Sequence, residues 1–215
     1  MRLAWCGHSY FVLSSGGQVL AIDPHDGDSL GLERCKVDAD YVLITHDHYD
    51  HNAAEVASGP RTKAVLRFRE VPVTLGPFRV RGFRLPHDSD GGSSYGWSTA
   101  YMVEAEGLRV LHMGDVGVPP DEGLVSVIGP TDVIMVPAGD VTTVGQEGAV
   151  EWALRLNAKL VIPMHYWVRG SNVPLDPLDS FLSAWRGPVE RAKGPLELSP
   201  PLRGQLLVIM EVGGP

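Results

Sequence analysis

The stretch Tyr41-Val42-Leu43-Ile44-Thr45-His46-Asp47-His48-Tyr49-Asp50-His51 places three histidines and two aspartates directly behind an apolar run. The run at 41–44 predicts a short strand that is buried on both faces. Because alternate residues of an extended chain point to the same side, His46 and His48 can bind one ion. Asp50 and His51 lie beyond the expected turn and can face a second ion. Imidazole and carboxylate groups are donors that zinc and similar dications prefer, so the stretch predicts a metal site.

Short apolar runs rich in β-branched residues alternate with turn residues along the rest of the chain. Residues 10–13 and 19–22, which flank Gly16-Gly17, predict a β-hairpin. Further strands are predicted at 64–66, 78–84, 99–104, 109–113, 132–136, 159–162 and 205–210, and helices at 52–57, 148–157 and 175–186. Many strands with a few dispersed helices indicate an α/β class in which helices cover sheets. We expect one domain over residues 1–215.

Composition excludes several classes of protein. With 44% hydrophobic and 20% charged residues, the chain of 215 residues resembles a globular protein and not a disordered one. The net charge of −8 makes a nucleic-acid partner unlikely, since such partners usually require a basic face. No apolar run approaches the roughly 20 residues of a membrane span, and no signal peptide is recognised. We therefore expect a cytoplasmic protein.

Cys6 and Cys35 lack a close metal-binding spacing and are predicted to be reduced thiols without a disulfide.

Further candidate metal-binding side chains follow the first stretch, and their order along the chain is that of a known protein superfamily. His46-Asp47-His48-Tyr49-Asp50-His51 matches the HxHxDH signature of the metallo-β-lactamase superfamily. The other matching segments are Gly7-His8-Ser9-Tyr10-Phe11, Ile22-Asp23-Pro24, Leu85-Pro86-His87-Asp88, His112-Met113-Gly114-Asp115 and Ile162-Pro163-Met164-His165-Tyr166. The chain thus resembles this superfamily over nearly its whole length, and most closely the lactonase-like and phospholipase D-like branch.

The resemblance implies a fold, a site and a chemistry. The implied fold is the four-layer αβ/βα metallo-β-lactamase sandwich, with the site at one edge of two packed sheets. The implied ligands form two sets with a shared bridge: His46, His48 and His87 for the first ion, Asp50, His51 and His165 for the second, and Asp115 between both. Asp50 and Asp115 are the implied catalytic residues. Two divalent ions are expected as cofactors, zinc first, with manganese or iron as alternatives.

The expected activity is metal-dependent hydrolysis of an ester, lactone, amide or phosphodiester bond in a small-molecule substrate. Two alternatives stay open at this point: a redox enzyme with a single iron, and a non-catalytic metal-binding protein. The resemblance also leaves open a homo-oligomer, because relatives of this branch are often oligomeric. His48 stands where the di-iron flavoprotein relatives have glutamate, which favours hydrolysis over reduction of oxygen.

Several residues near the motifs have alternative roles. His8 is expected to orient a ligand or the backbone, and Asp23 to support a ligand histidine or to cap the Asp-Pro turn. His25 either lines the pocket or lies on an exposed loop, and His112 either touches the pocket or packs within its strand. Asp47 and Tyr49 alternate with the ligands and should point away from the ions.

Two pairs of residues are candidates for contacts with the substrate. In the flexible loop 89–98, Tyr95 and Trp97 have aromatic rings that can stack on a substrate, although a mobile surface loop is the alternative. After His165, Trp167 and Arg169 are candidates to line the pocket. Arg169 would then favour a phosphate or carboxylate group.

Overall fold

The computed structural model describes residues Met1 to Pro215, and its strands form two mixed sheets. The first sheet has the order β13-β1-β2-β3-β4-β5 and the second β12-β14-β11-β10-β9-β8-β7-β6. The strands are β1 (Arg2–Trp5), β2 (Phe11–Ser15), β3 (Gln18–Ile22), β4 (Tyr41–Ile44), β5 (Ala64–Arg67), β6 (Val73–Leu75), β7 (Phe78–Pro86), β8 (Trp97–Ala105), β9 (Leu108–His112), β10 (Val133–Pro137), β11 (Leu160–Met164), β12 (Val189–Ala192), β13 (Leu196–Glu197) and β14 (Leu206–Met210).

Four α-helices lie between these strands: α1 (Ala54–Ala57), α2 (Glu122–Ile128), α3 (Gln146–Arg155) and α4 (Asp179–Ala184). A single 3₁₀ turn spans Asp28–Leu30. Helix α1 contacts β4 of the first sheet, whereas α3 contacts β10 of the second sheet and also packs against α4. The helices therefore cover the two sheets, and the α/β sandwich implied by the resemblance is confirmed. No helix combines the length and the apolar composition that crossing a bilayer requires.

The position of β4 explains its uniformly apolar sequence. The strand lies between β3 and β5 and runs parallel to both. Tyr41 and Leu43 belong to the main core together with residues of the second sheet, while Val42 and Ile44 belong to a smaller cluster on the helix-covered face. All four residues are buried. The strand is thus covered on both faces, as predicted from its sequence.

Most predicted elements are present, and the hairpin forms as expected from β2 and β3. The elements that the sequence analysis missed are β1, β6, β12, β13 and α2. The predicted helix at 175–186 is too long, because the observed helix covers only Asp179–Ala184. Pro177 explains the later start, since proline lacks an N–H and disfavours helical geometry in the residue before it.

The prediction that both cysteines are reduced is wrong in this structure. Cys6 and Cys35 form a disulfide, with their Cα atoms 5.8 Å apart. The two residues are separated by 29 positions in sequence. The segment between β3 and β4 returns to the end of β1 and brings them within bonding range. Sequence spacing alone carried no information on this long-range approach.

The double-sided burial of β4 leads to a stability prediction. Leu43→Ala should lower the free energy of unfolding by about 2–5 kcal/mol, because it leaves a cavity between the sheets. Leu154→Ala is the matched control, because Leu154 is 51% exposed on α3 and should change stability by about 0.5 kcal/mol or less. Chemical denaturation measures both changes. Equal effects of the two substitutions would contradict the assignment of Leu43 to the core.

Candidate metal centre

The seven ligand candidates from the sequence lie just beyond the ends of four strands. His46, His48, Asp50 and His51 follow β4, and His87 directly follows β7. Asp115 lies beyond the end of β9, and His165 directly follows β11. The first sheet therefore contributes four of these side chains and the second sheet three. Their meeting point is the shared edge where both sheets end.

The donor atoms of the candidates form two neighbouring groups, and a third group joins His46 and His51 to Asp23. His46, His48 and His87 offer ligand atoms that all lie within 4.8 Å of one another. The second group contains Asp50, His51 and His165, together with His8, within the same limit. The structure thus brings together the same two sets of residues that the resemblance implied, and it adds His8 to the second set.

Asp115 lies between the two groups. Its Oδ2 atom is 3.8 Å from His46 Nε2 and 3.3 Å from His87 Nε2 in the first group. The same atom is 3.2 Å from His51 Nε2 and 3.0 Å from His165 Nε2 in the second group. One carboxylate oxygen is therefore in reach of four imidazole nitrogens from both groups.

The polar atoms at this centre fit divalent cations. His51 Nε2, His87 Nε2 and Asp115 Oδ1 are buried and have no hydrogen-bond partner. His46 Nε2 and His48 Nδ1 are 3.0 Å apart, so one of these nitrogens donates a hydrogen bond and the other accepts it with its lone pair. Buried polar atoms are normally paired, so the three unpaired atoms require a further partner. Nitrogen and oxygen donors without thiolates suit zinc, manganese or iron.

Asp23 fixes the proton positions of two histidines that are ligand candidates. Its Oδ2 accepts from His51 Nδ1 at 2.9 Å, so that Nε2 is the His51 nitrogen that faces the centre. The same oxygen accepts from the Thr45 hydroxyl at 2.6 Å. The hydroxyl oxygen of Thr45 then accepts from His46 Nδ1 at 2.9 Å, which frees His46 Nε2 as a lone-pair donor. The expectation that Asp23 supports a ligand histidine agrees with these contacts.

A third histidine is oriented from the second sheet. His87 Nδ1 donates to the carbonyl oxygen of Thr142 at 3.1 Å, since a carbonyl can only accept. This contact leaves Nε2 of His87 as the atom that faces Asp115.

Gly114 allows Asp115 to reach the centre, because a Cβ at position 114 would lie 2.5 Å from Ser98 Oγ. Gly114 also has a φ of +54°, a conformation that other residues rarely adopt.

The ionisable groups of the centre shift one another's pKa values in opposite directions. Burial disfavours the ionised form of Asp115, but the imidazoles of His165 and His51 outweigh it and hold the pKa of Asp115 well below its usual value. Burial also opposes the charged form of His51, yet Asp115, Asp50 and Asp23 raise the pKa of His51 well above its usual value. Burial, followed by the effect of His51, lowers the pKa of His46 well below its usual value. A neutral His46 is the form that binds a metal.

The remaining histidines have distinct surroundings. His8 Nε2 lies 2.9 Å from Asp50 Oδ2, in agreement with a role in orienting a ligand. Burial, and then His165, lowers the pKa of His8 to about 3, so a neutral His8 donates to Asp50. Both alternatives for His25 are wrong, because the residue is fully buried and its Nε2 faces Cys6 O. His112 packs within the fold, with its Nε2 2.8 Å from Ser9 O, so its strand-packing alternative is correct.

An open cavity of about 340 Å³ lies over the centre. Its lining residues are His48, Tyr49, Asp50, His87, Tyr95, Asp115, Val141, Thr142, His165, Val173, Pro174 and Leu175. Tyr95 lines the cavity as considered from the sequence, and Tyr49 does so although it was expected to point away. Asp47 does point away, because it is exposed and pairs with Arg67.

Three aromatic or basic candidates do not line the cavity. Trp97 begins β8, where its ring lies 4.6 Å from the Arg84 guanidinium. Trp167 and Arg169 are exposed, and Trp167 Nε1 donates to the carbonyl of Ser171. The interpretation of Arg169 as an anion-binding residue is therefore wrong. The chain turns at His165, which has a φ of +50°, and the later segment 173–175 reaches the cavity instead.

Asp88 is a structural residue of the site that the sequence analysis did not single out. Its carboxylate accepts hydrogen bonds from the backbone N–H groups of Asp90, Gly92, Ser94 and Tyr95. These bonds, led by the one from Tyr95, lower the pKa of Asp88 to about 2. They fold the loop that follows His87 and place Tyr95 at the cavity. An aspartate ahead of a Gly- and Ser-rich loop is the signal that indicates such a turn.

The role of Asp23 leads to a prediction on metal affinity. Asp23→Asn should weaken metal binding by about 10- to 100-fold, because it disturbs the tautomers of His46 and His51. Asp38→Asn is a matched control at an exposed position. Calorimetric titration of the metal-free proteins measures the affinities. Unchanged affinity in Asp23→Asn would show that this network does not orient the ligands.

Comparisons with known proteins agree with this geometry. Residues 2–165 match the model of the beta-lactamase superfamily domain. A UPF0173 protein of Pyrococcus furiosus is 31% identical over 190 residues, which cover 77% of this chain and 83% of that protein. A UPF0173 metal-dependent hydrolase of Archaeoglobus fulgidus is 30% identical over 193 residues, which cover 77% of this chain and 83% of that protein. The solved structure of a proposed Zn-dependent hydrolase of the metallo-β-lactamase superfamily from Thermotoga maritima covers 97% of both chains, with a TM-score of 0.79 and 30% identity. The chain therefore belongs to the metallo-β-lactamase superfamily, as a metal-dependent hydrolase.

Proposed function

We propose that the protein uses two divalent ions, zinc before manganese or iron, to hydrolyse an ester, lactone, amide or phosphodiester bond of a small molecule. The position of Asp115 Oδ2, within 3.0–3.8 Å of four imidazole nitrogens from two donor groups, carries this proposal. A carboxylate in that position suits a bridge between two ions. A cavity of about 340 Å³ over the centre is of the size that binds small molecules.

The side chains have separate tasks in this proposal. Two bound dications would supply a water of lowered pKa and would polarise the substrate oxygen. His46, His48 and His87 would hold one ion, and Asp50, His51 and His165 the other, with Asp115 shared. Asp50 and Asp115 are the only carboxylates that line the cavity. Because Asp115 is shared between the two donor groups, we assign to Asp50 the uptake of the proton from the attacking water and its return to the leaving group.

The two donor groups also bear on the alternative functions. A redox enzyme with one iron needs a smaller ligand set than the residues assembled here. The second group of Asp50, His51 and His165 therefore favours hydrolysis with two ions. A protein that bound metals for stability alone would not need a cavity that exposes both groups. Asp50, His48 and His165 all line that cavity, which supports catalysis.

Substitution of the bridging carboxylate tests the proposed function. Asp115→Ala should lower turnover by at least about a thousandfold, since it removes the residue shared by both ions. The metal content should fall below two ions per chain. Glu190→Gln, at an exposed position on β12, should leave both quantities unchanged. Elemental analysis and assays on generic esters, lactones and phosphodiesters measure the effects. Full turnover in Asp115→Ala would contradict the two-ion mechanism.

Removal of metal should also lower stability. A cation that binds only the folded chain stabilises it by about 2.7 kcal/mol when its free concentration is 100 times its Kd. Treatment with a chelator should therefore lower Tm and abolish turnover, and added zinc or manganese should restore both. Thermal unfolding with and without the chelator measures the shift. A Tm that responds to neither treatment would argue against an assembled metal centre.

A further inference from the structure

We infer that the substrate is an uncharged carboxylic-acid derivative, an ester, lactone or amide, whose acyl group carries a hydrocarbon chain. This inference rests on the proposed function and narrows its substrate class by excluding phosphodiesters. Three observations support it: apolar residues that make up half of the cavity lining, a fixed backbone behind part of that apolar wall, and the lack of lysine and arginine in the lining.

Apolar and aromatic residues make up half of the cavity lining. Six residues contribute this apolar wall, from four separate segments of the chain: Tyr49, Tyr95, Val141, Val173, Pro174 and Leu175. Val141 is 56% exposed, Tyr49 60% and Tyr95 48% in a structure that buries most large apolar residues. Apolar side chains that stay exposed and converge on one cavity indicate a binding surface for hydrocarbon.

The segment that contains Val173 and Leu175 is held in place by hydrogen bonds on both sides. Asn172 N donates to Leu30 O at 3.0 Å, and Asp176 N donates to Gly139 O at 2.9 Å. Asp176 also accepts from Trp167 N through its carbonyl and from Gln146 through its carboxylate. This part of the wall is therefore anchored to four residues elsewhere in the fold. A preformed wall binds hydrocarbon without an added cost of ordering the loop.

Val141 is held in an unusual backbone conformation. Its φ is +66°, and that of the preceding Asp140 is +47°. A β-branched residue rarely adopts this conformation, and such strain concentrates at functional sites. The adjacent Thr142 carbonyl accepts from His87 Nδ1, so the same turn orients a metal ligand. The turn thereby contributes both Val141 to the cavity lining and the carbonyl that orients His87.

The charged residues of the lining favour a neutral substrate. No lysine or arginine lines the cavity, and its only charged side chains besides histidines are Asp50 and Asp115. Sites that transfer phosphoryl groups add arginine or lysine to their metal ions, to neutralise charge on the remaining phosphate oxygens. A neutral acyl group has a single developing oxyanion, which the ions can stabilise alone. Its hydrocarbon chain can then lie on the wall.

Binding of straight-chain hydroxamic acids, from acetyl to octanoyl, tests the inference without turnover. Calorimetry on the metal-loaded protein should show a Kd that falls about threefold to fourfold per added methylene, until the wall is filled. Val141→Ala and Leu175→Ala should each raise the Kd of the octanoyl compound by about tenfold, and leave the acetyl compound nearly unchanged. Val189→Ala, at a 46% exposed position on β12, is the matched control and should change neither. A Kd that is independent of chain length would overturn the inference.

Measurement of hydrolysis rates is the second test of the inference. The value of kcat/KM for p-nitrophenyl esters should rise with acyl length by about threefold to fourfold per methylene until the wall is filled, whereas bis(p-nitrophenyl) phosphate should be a poor substrate. Preference for the phosphodiester would overturn the inference and would leave metal-dependent hydrolysis intact. Failure of the proposed function would look different, with no hydrolysis of any substrate and fewer than two ions per chain.

Discussion

A buried negative charge that requires cations is the constraint on which the site depends. Asp115 is only 2% exposed, and its sole ionic neighbours are four histidines from both sheets. Burial of a carboxylate is unfavourable unless opposite charge compensates it. A proton on His51 can provide part of this compensation, and two dications would provide it in full. The same charge therefore explains why ligands from both sheets meet at one edge.

The surrounding structure prepares the ligands for this charge. Asp23 orients His51 directly and His46 through Thr45, which lies at the end of the buried strand β4. On the other sheet, the turn at Thr142 orients His87 and also presents Val141 to the cavity. In the proposed site, the orientation of one metal ligand and the selection of the substrate would thus be linked through one turn. A change in that turn can affect both.

The sequence was informative where the chemistry depends on neighbouring residues. His46 and His48 follow a uniformly apolar strand, and this local pattern predicted both the strand and the metal site. The resemblance supplied the ligands that are distant in sequence, such as His87, Asp115 and His165. The structure brings these residues together, and whether they bind ions as assigned stays a prediction.

Features that depend on the path of loops were not predictable in this way. The disulfide between Cys6 and Cys35, the burial of His25 and the exposure of Arg169 follow from where loops turn in three dimensions. Val141 and Leu175 carry no local signal of a binding site, because an isolated apolar residue in a loop resembles many others. Their significance appears only when the fold places them on one cavity.

Anomalous diffraction from crystals of the metal-loaded protein tests the central claim most directly. The account predicts two peaks about 3.5–4 Å apart, one among His46, His48 and His87 and the other among Asp50, His51 and His165. Asp115 should contact both. A single peak at full metal saturation, or two peaks that do not share Asp115, would contradict the account.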